Sequence, residues 1–231
     1  MVMRQSALER GPLGMGVDDA FDRWRLVSYS QEGEDILLRY MFPQAEGTYV
    51  DVGAHHPVRF SNTLFFYNIG WRGINIDPIP GIMDQFEARR PGDVNLSLGV
   101  ARQKGALAYH MFEDPAFNSF NAEYADTILR DGMPRIEVRQ VPVDTLENIL
   151  DAHLGGRRID FMTIDAEEYE LEVLASNNWE RHRPSCLVAE SLCASLADIS
   201  GCPIYQFLSP LGYEPVAKTI KSTFYRDVRS V

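Results

Sequence analysis

The sequence predicts an α/β protein built on one open, mostly parallel sheet with a reversed strand at its edge. Three observations carry that expectation. Short apolar runs recur at 47–53, 73–77, 94–100, 159–164 and 186–189, each the length of a buried strand. Segments of helical period alternate with them, the pattern of strands joined by crossover helices. The chain closes on two adjacent strand-like runs, 213–217 and 219–226, that read as an antiparallel pair. A length of 231 residues suits one such domain with a full core, and no internal repeat divides it.

Taken in order, residues 1–27 form an N-terminal arm. Residues 1–17 lack periodicity, and Asp18–Arg25 reads as a short helix or turn. A single domain then spans 28–231. Ile36, Leu37, Tyr40 and Met41 sit at helical spacing between Gln31 and Met41, and Pro43 ends the run. Strand 47–53 is followed by the loop His55-His56-Pro57. Ser61-Asn62-Thr63 then stands before Leu64-Phe65-Phe66-Tyr67 as a helix start. Strand 73–77 leads to a helix over 79–89 with Pro80 in its first turn. Strands follow at 94–100 and, after Lys104-Gly105, at 107–112.

Residues 113–135 are broken by Asp114-Pro115, Asn118-Ser119 and Gly132-Met133-Pro134, with one helical stretch over 122–129. A long irregular segment on a rigid scaffold is a candidate substrate loop or lid. Beyond it come a strand at 138–143, a helix over 145–154 and strand 159–164 ending at Asp165. A helix over 167–175 places Leu171 and Leu174 on one face. Strand 186–189 ends at Glu190, and a helix over 203–211 is closed by Gly212.

The composition is that of an ordinary globular protein, 45% hydrophobic and 24% charged. A net charge of −11 with no Lys/Arg-rich run argues against nucleic acid or anionic membrane as a partner. No apolar run reaches the roughly 18 residues of a membrane span, and no secretory h-region precedes the fold. Cys186, Cys193 and Cys202 are odd in number and lack a CxxC pair, which fits free thiols in a reducing cytoplasm better than disulfides or zinc.

Four strands end in acids: Asp51, Asp77, Asp165 and Glu190. In an open parallel sheet these ends share one edge, where ligands bind. Gly53, after Asp51, offers a side-chain-free approach and backbone N–H groups. A carboxylate at Asp77 suits a ribose diol. Acids gathered in this way favour a cationic, ribose-bearing cofactor over a polyphosphate. Asp51-Val52-Gly53-Ala54-His55-His56 also lacks the later glycines of a dinucleotide fingerprint, and no P-loop is present. S-adenosylmethionine fits; NAD and ATP fit poorly. For any single strand-end acid the competing role is to cap the turn that follows.

The chain resembles the FkbM-type S-adenosylmethionine-dependent methyltransferases. The resemblance rests on Ser30-Gln31-Glu32-Gly33-Glu34-Asp35, Val50-Asp51-Val52-Gly53-Ala54-His55-His56-Pro57 and Ser61-Asn62-Thr63. It continues in Gly70-Trp71-Arg72-Gly73-Ile74-Asn75-Ile76-Asp77-Pro78, Asn118-Ser119-Phe120, Val143-Asp144-Thr145-Leu146, Ile164-Asp165 and Glu170-Leu171-Glu172-Val173-Leu174. It implies a seven-stranded, Rossmann-like sheet with helices on both faces. The implied reaction is O-methylation of a hydroxyl, often on a sugar of a polysaccharide, glycolipid or secondary metabolite. By the same resemblance Asp51, Gly53 and Ala54 line the methionine and sulfonium end, and Asp77 with Pro78 holds the ribose. Gln31, Ser61 and Asn62 lie near the methionine carboxylate, and Ser97 approaches the adenine. Where the family has Asp-Val-Glu-Gly, this chain has Asp165-Ala166-Glu167-Glu168, which puts a charged side chain at a glycine position.

Methyl transfer to a hydroxyl calls for a base, and His56 and Asp165 are the candidates, with His55 pointing away. Asp165, Glu167 and Glu190 also offer oxygen ligands for a divalent ion such as magnesium, with Asp165 and Glu190 at its centre. Trp71 is expected under the sheet. Phe117, Phe120, Asn118, Ser119 and Glu167 are expected on the acceptor side. The expected partner is a hydroxyl-bearing small molecule or glycan, with homo-oligomerisation left open. Two other readings stand beside this one: a nicotinamide-dependent oxidoreductase, and a non-catalytic homologue that keeps the cofactor fold.

Overall fold

A computed structural model of the protein describes residues 25–191, 193 and 195–229. The arm over 1–17 and the short helix or turn expected from Asp18 therefore lie outside the described residues, apart from Arg25. Among the described residues there are ten strands: β1 Thr48–Val52, β2 Arg72–Ile76, β3 Val94–Leu96, β4 Gly99–Val100, β5 Gly105–Phe112, β6 Arg135–Asp144, β7 Phe161–Ile164, β8 Cys186–Glu190, β9 Tyr213–Lys218 and β10 Ser222–Asp227. Seven form the main sheet in the order β3-β2-β1-β7-β8-β10-β9; β4, β6 and β5 form a small second sheet. β1 lies parallel to β2 and β7, β2 to β3, and β7 to β8. β10 runs antiparallel to both β8 and β9, so the reversed strand sits one place in from the edge.

The described residues also hold α-helices α1 Glu34–Met41, α2 Leu64–Asn68, α3 Ile82–Arg89, α4 Ala122–Arg130, α5 Leu146–His153, α6 Glu170–Ala175 and α7 Pro203–Leu208. The period-2 alternation of side chains sorts the core into two layers. On one face Val50, Val52, Met162, Ile164, Leu187 and Ala189 pack against Leu146, Ile149, Val173, Leu174, Ile204 and Leu208 of α5, α6 and α7. On the other, Tyr49, Phe161, Cys186 and Val188 meet Leu38 of α1, Phe66 of α2 and Trp71. Trp71 is fully buried, with its ring 4.8 Å from Phe66, as expected of a residue under the sheet. Asp51 alternates with Val50 and Val52, so its carboxylate is delivered to the aromatic face beside α2. That register positions much of the site.

The structure departs from the sequence reading at element boundaries. The strand expected over 94–100 breaks at Ser97-Leu98, because β3 pairs with β2 whereas β4 leaves to pair with β6. The runs near 107–112 and 138–143 are strands, but of the second sheet, where they pair with each other. α3 starts only at Ile82: Pro80 lies in a preceding turn, and Gly81 caps the helix at φ 77°. α6 starts at Glu170, since Glu167 and Glu168 take left-handed φ values of 51° and 65°. Leu171 is 37% exposed, and Val173 joins Leu174 in the core instead. Residues 113–135 hold a short 3-10 turn, Pro115–Phe117, and α4, whose N-terminus Asn121 caps by accepting from the Glu123 and Tyr124 N–H groups. No helix among the described residues is long and apolar enough to cross a membrane.

Candidate active site

The carboxyl ends of β1, β2 and β7 converge on a cleft enclosing about 130 Å³, which Gly53 and Asp77 both line. Of the residues expected from sequence, Gln31, Asp51, Ala54, Asn62, Pro78, Phe117, Asn118, Asp165 and Glu167 also line it. His56, Ser61, Ser97 and Ser119 do not, and Glu190 faces a neighbouring cavity.

Gly53 is required by the loop that faces it. A Cβ there would fall on the carbonyl oxygen of Asp165, and φ is 76°. The turn does not offer the free donors expected of it: the Gly53 and Ala54 N–H groups donate to the Ile76 carbonyl at 2.9 and 3.2 Å. The His55 N–H donates to Asp77 Oδ2 at 2.8 Å, and the Ile79 N–H to Asp77 Oδ1 at 2.8 Å. Asp77 therefore ties the loops after β1 and β2 together and keeps its remaining lone pairs on the cleft side. Burial raises its carboxyl to about 6 against those two bonds.

Asp51 is held by a relay that the sequence did not reveal. Thr63 Oγ1 donates to Asp51 Oδ2 at 2.7 Å. Arg90, fully buried at the end of α3, donates to Thr63 Oγ1 at 2.8 Å, to Ser61 Oγ at 2.6 Å and to the Pro57 carbonyl. Burial raises Asp51 to about 6, against the pull of Thr63 and Arg90. Ser61 is taken up in this network and in accepting the Leu64 N–H at 3.0 Å, which removes it from the cleft. Asn62 reaches the cleft and donates to Thr163 Oγ1 at 2.9 Å.

Of the two histidines, His55 is the one that lines the cleft. It sits at φ 53° with its ring stacked on Phe60, centroids 6.2 Å apart. That left-handed turn folds His56 back, and its Nδ1 accepts the Val58 and Arg59 N–H groups at 3.0 and 2.9 Å. Burial and the nearby Arg59 lower its pKa. Ser97 is exposed beyond the end of β3, and Leu98, Gly99 and Val100 line the cleft in its place.

The acids at the ends of β7 and β8 meet as expected, with one exchange of partner. Carboxylate oxygens of Asp165, Glu170 and Glu190 lie within 4.8 Å of one another, whereas Glu167 turns to accept from the Tyr124 hydroxyl. Asp165 Oδ1 is shut off from solvent with no donor in reach, so beside Glu190 it can be bonded only through a shared proton or a cation. Burial, then the Glu190 and Glu167 charges, drive Asp165 far above the ordinary carboxylate range. Burial raises Glu170 to about 8, against the Ala166 N–H that donates to it. Lys221 Nζ lies 3.3 Å from Glu190 Oε1.

The loop 165–168 is pinned from the insertion side. Ser119 Oγ donates to the Glu167 carbonyl at 2.6 Å and Asn121 Nδ2 to the Glu168 carbonyl at 3.0 Å. Ser119 is thus a positioning residue, while Asn118 Oδ1 accepts the Phe112 N–H at 2.8 Å. Two successive left-handed non-glycine residues carry strain. Glu168→Gly is expected to raise stability by about 1 kcal/mol, read as an increased urea midpoint. A midpoint that falls would show that the Glu168 side chain stabilises the loop.

A mostly parallel seven-stranded sheet in this order, with Gly53, Asp77 and Asp165 lining one cleft at its carboxyl edge, is the architecture of the Rossmann-like methyltransferases. The sequence profile described as "Methyltransferase FkbM domain" matches residues 51–200, and the chain belongs to that family of S-adenosylmethionine-dependent methyltransferases. Among solved structures it is similar to precorrin-6y C5,15-methyltransferase from Geobacter metallireducens GS-15. That match has 15% identity over 83% of this chain and 85% of that one, with a TM-score of 0.40. It is also similar to the small RNA methyltransferase HEN1, at 11% identity over 90% of this chain and 28% of that one, with a TM-score of 0.39. No curated protein matches the chain.

Proposed function

We propose that this methyltransferase transfers methyl to a hydroxyl oxygen, on a sugar of a polysaccharide, glycolipid or secondary metabolite. The observation carrying the reading is that Gly53, Asp77 and the unpartnered Asp165 carboxylate share one cleft. The donor set suits the cofactor: Asp77 for the ribose hydroxyls, Asp51 and Asn62 toward the amino-acid end, and Leu98 and Val100 as apolar walls for the base. When bound, S-adenosylmethionine supplies a methyl group on a sulfonium, an electrophile that needs no metal or redox partner.

The chain's part is to hold the acceptor oxygen in line with that methyl group and to receive its proton. Alignment of two bound partners is worth on the order of 7–11 kcal/mol. Asp165 is the base in this reading. Burial beside Glu190 and Glu167 makes its carboxylate a stronger proton acceptor than an ordinary one, and Glu190 beside it can share the proton. His56, folded into its turn, is not assigned a part in the chemistry. Phe117 and Asn118 line the acceptor side, with Ser119 and Glu167 supporting them, which gives residues 113–135 their role within a single domain over 28–231. A cytoplasmic setting suits its three unpaired thiols.

Asp77→Ala is expected to weaken S-adenosylhomocysteine binding roughly hundredfold, the worth of two hydrogen bonds to a charged group. Calorimetry measures it, with Asp77→Asn as a second variant that removes the charge and keeps one of the two loop contacts. Unchanged affinity in both variants would remove the ribose role. A second reading places a divalent ion of the magnesium type on Asp165 and Glu190, joined by Glu170, and it is favoured by the orphaned Asp165 Oδ1. On that reading exhaustive chelation stops turnover and added magnesium restores it; an unchanged rate discards the ion.

A further inference from the structure

A second cavity, of about 910 Å³, adjoins the cofactor cleft, and the rings of Phe120 and Tyr169, centroids 5.5 Å apart, line both. Its walls are one-signed. Glu123, Glu168, Glu170, Glu172, Glu190 and Asp198 line it, with no Lys or Arg among the described lining residues, and Glu172 is paired with Arg102 outside it. Glu190 is paired with Lys221, which stands on the cofactor side. Glu123, Glu168 and Asp198 form no ion pair with a described residue. Asp165, which lines the cofactor cleft, has a carboxylate oxygen within 4.8 Å of one of Glu190, which lines the second cavity.

Resting on the methyltransferase reading, we infer that the acceptor extends from the cleft into this cavity and is cationic, an amine-bearing polyol such as an amino sugar. A protonated amine supplies three donors to surrounding carboxylates. The Phe120 and Tyr169 faces offer it cation–π contacts and offer the ring of a sugar an apolar platform. The same walls turn away anionic acceptors such as uronic acids and sugar phosphates, because bringing like charge against unpaired carboxylates costs free energy. The amine donates to the Glu123, Glu168 and Asp198 carboxylates of the cavity, and an adjacent hydroxyl reaches past the Phe120–Tyr169 boundary toward the cofactor cleft.

The test uses the whole chain saturated with S-adenosylhomocysteine and three matched hexoses, glucosamine, glucose and glucuronate, compared by ligand-observed NMR titration. Glucosamine is expected to bind about tenfold more tightly than glucose, and glucuronate least. The combined variant Glu123→Gln, Glu168→Gln, Asp198→Asn is expected to erase that order while S-adenosylhomocysteine affinity stays unchanged. Equal or reversed affinities, or no binding by any hexose, overturn the inference and leave the cofactor reading standing. So does loss of the glucosamine preference when magnesium is added, which would assign the site to the metal. Failure of S-adenosylhomocysteine to bind brings down the cofactor reading first.

Discussion

Arg90→Met should destabilise the fold by about 3–5 kcal/mol, because it removes hydrogen bonds from a buried charged donor worth roughly 1.5–3 kcal/mol each. The methionine fills most of the guanidinium's volume, so the loss reports charge and hydrogen bonds more than a cavity. Arg90 is fully buried and supplies donors to the Pro57 carbonyl, Ser61 Oγ and Thr63 Oγ1. Thr63 in turn donates to Asp51. Without Arg90 the three acceptors lose their donors, and Asp51 loses the positive charge that holds its pKa down. The sign of the pH dependence follows. A carboxyl whose folded pKa is raised contributes stability below its unfolded pKa near 4 and loses it as pH rises through the folded value. In the native protein that value is about 6, and in the variant it moves higher. The deficit of Arg90→Met should therefore be larger at pH 8 than at pH 5. Urea denaturation at both values measures it, and a deficit under 1 kcal/mol, or one that shrinks at pH 8, would show that Arg90 does not support Asp51.

That network also shows why part of the site was legible in the sequence and part was not. The strand ends at Asp51, Asp77 and Asp165 could be read because short apolar runs show where a buried strand stops, and parallel strands bring their carboxyl ends to one edge. Gly53 could be read as a turn, but the reason for it lies over a hundred residues away, in the Asp165 carbonyl that a Cβ would strike. Arg90 looked like any arginine at a helix end. Nothing local distinguishes it from Arg89, which is exposed; only the crossing of α3 over the 57–63 loop buries it. His55 and His56 were assigned in the wrong order of orientation for a similar reason. Which of two neighbouring rings enters a cleft depends on a single φ, and His55 takes the left-handed value usually left to glycine or asparagine. The break in the third strand at Ser97 was hidden because a run of apolar residues carries no mark of a change in pairing partner.

The departure at Asp165-Ala166-Glu167-Glu168 leads to the remaining large effect. Asp165→Asn is expected to lower turnover roughly 10²–10⁴-fold, the contribution of a positioned base, while S-adenosylhomocysteine affinity stays close to that of the native chain. Asparagine has nearly the same shape and leaves the Asp165 carbonyl against Gly53 untouched, so the cofactor side keeps its form. The substitution also relieves a cost. Asp165 is crowded by Glu190, Glu167 and Glu170, and removing one carboxyl lessens their mutual repulsion while the new amide can donate to Glu190. The variant should therefore melt higher than the native protein even as it loses activity. That combination separates a catalytic group from a structural one, because a residue kept only for the loop it supports would lose stability and rate together. Transfer of tritium from labelled cofactor into glycan extracts reads the rate, and His56→Ala, whose ring is committed to a turn, should transfer at nearly the native rate. If Asp165→Asn retains native turnover while His56→Ala is dead, the proton leaves by the histidine, and the loop seen around His56 must open before the reaction can proceed.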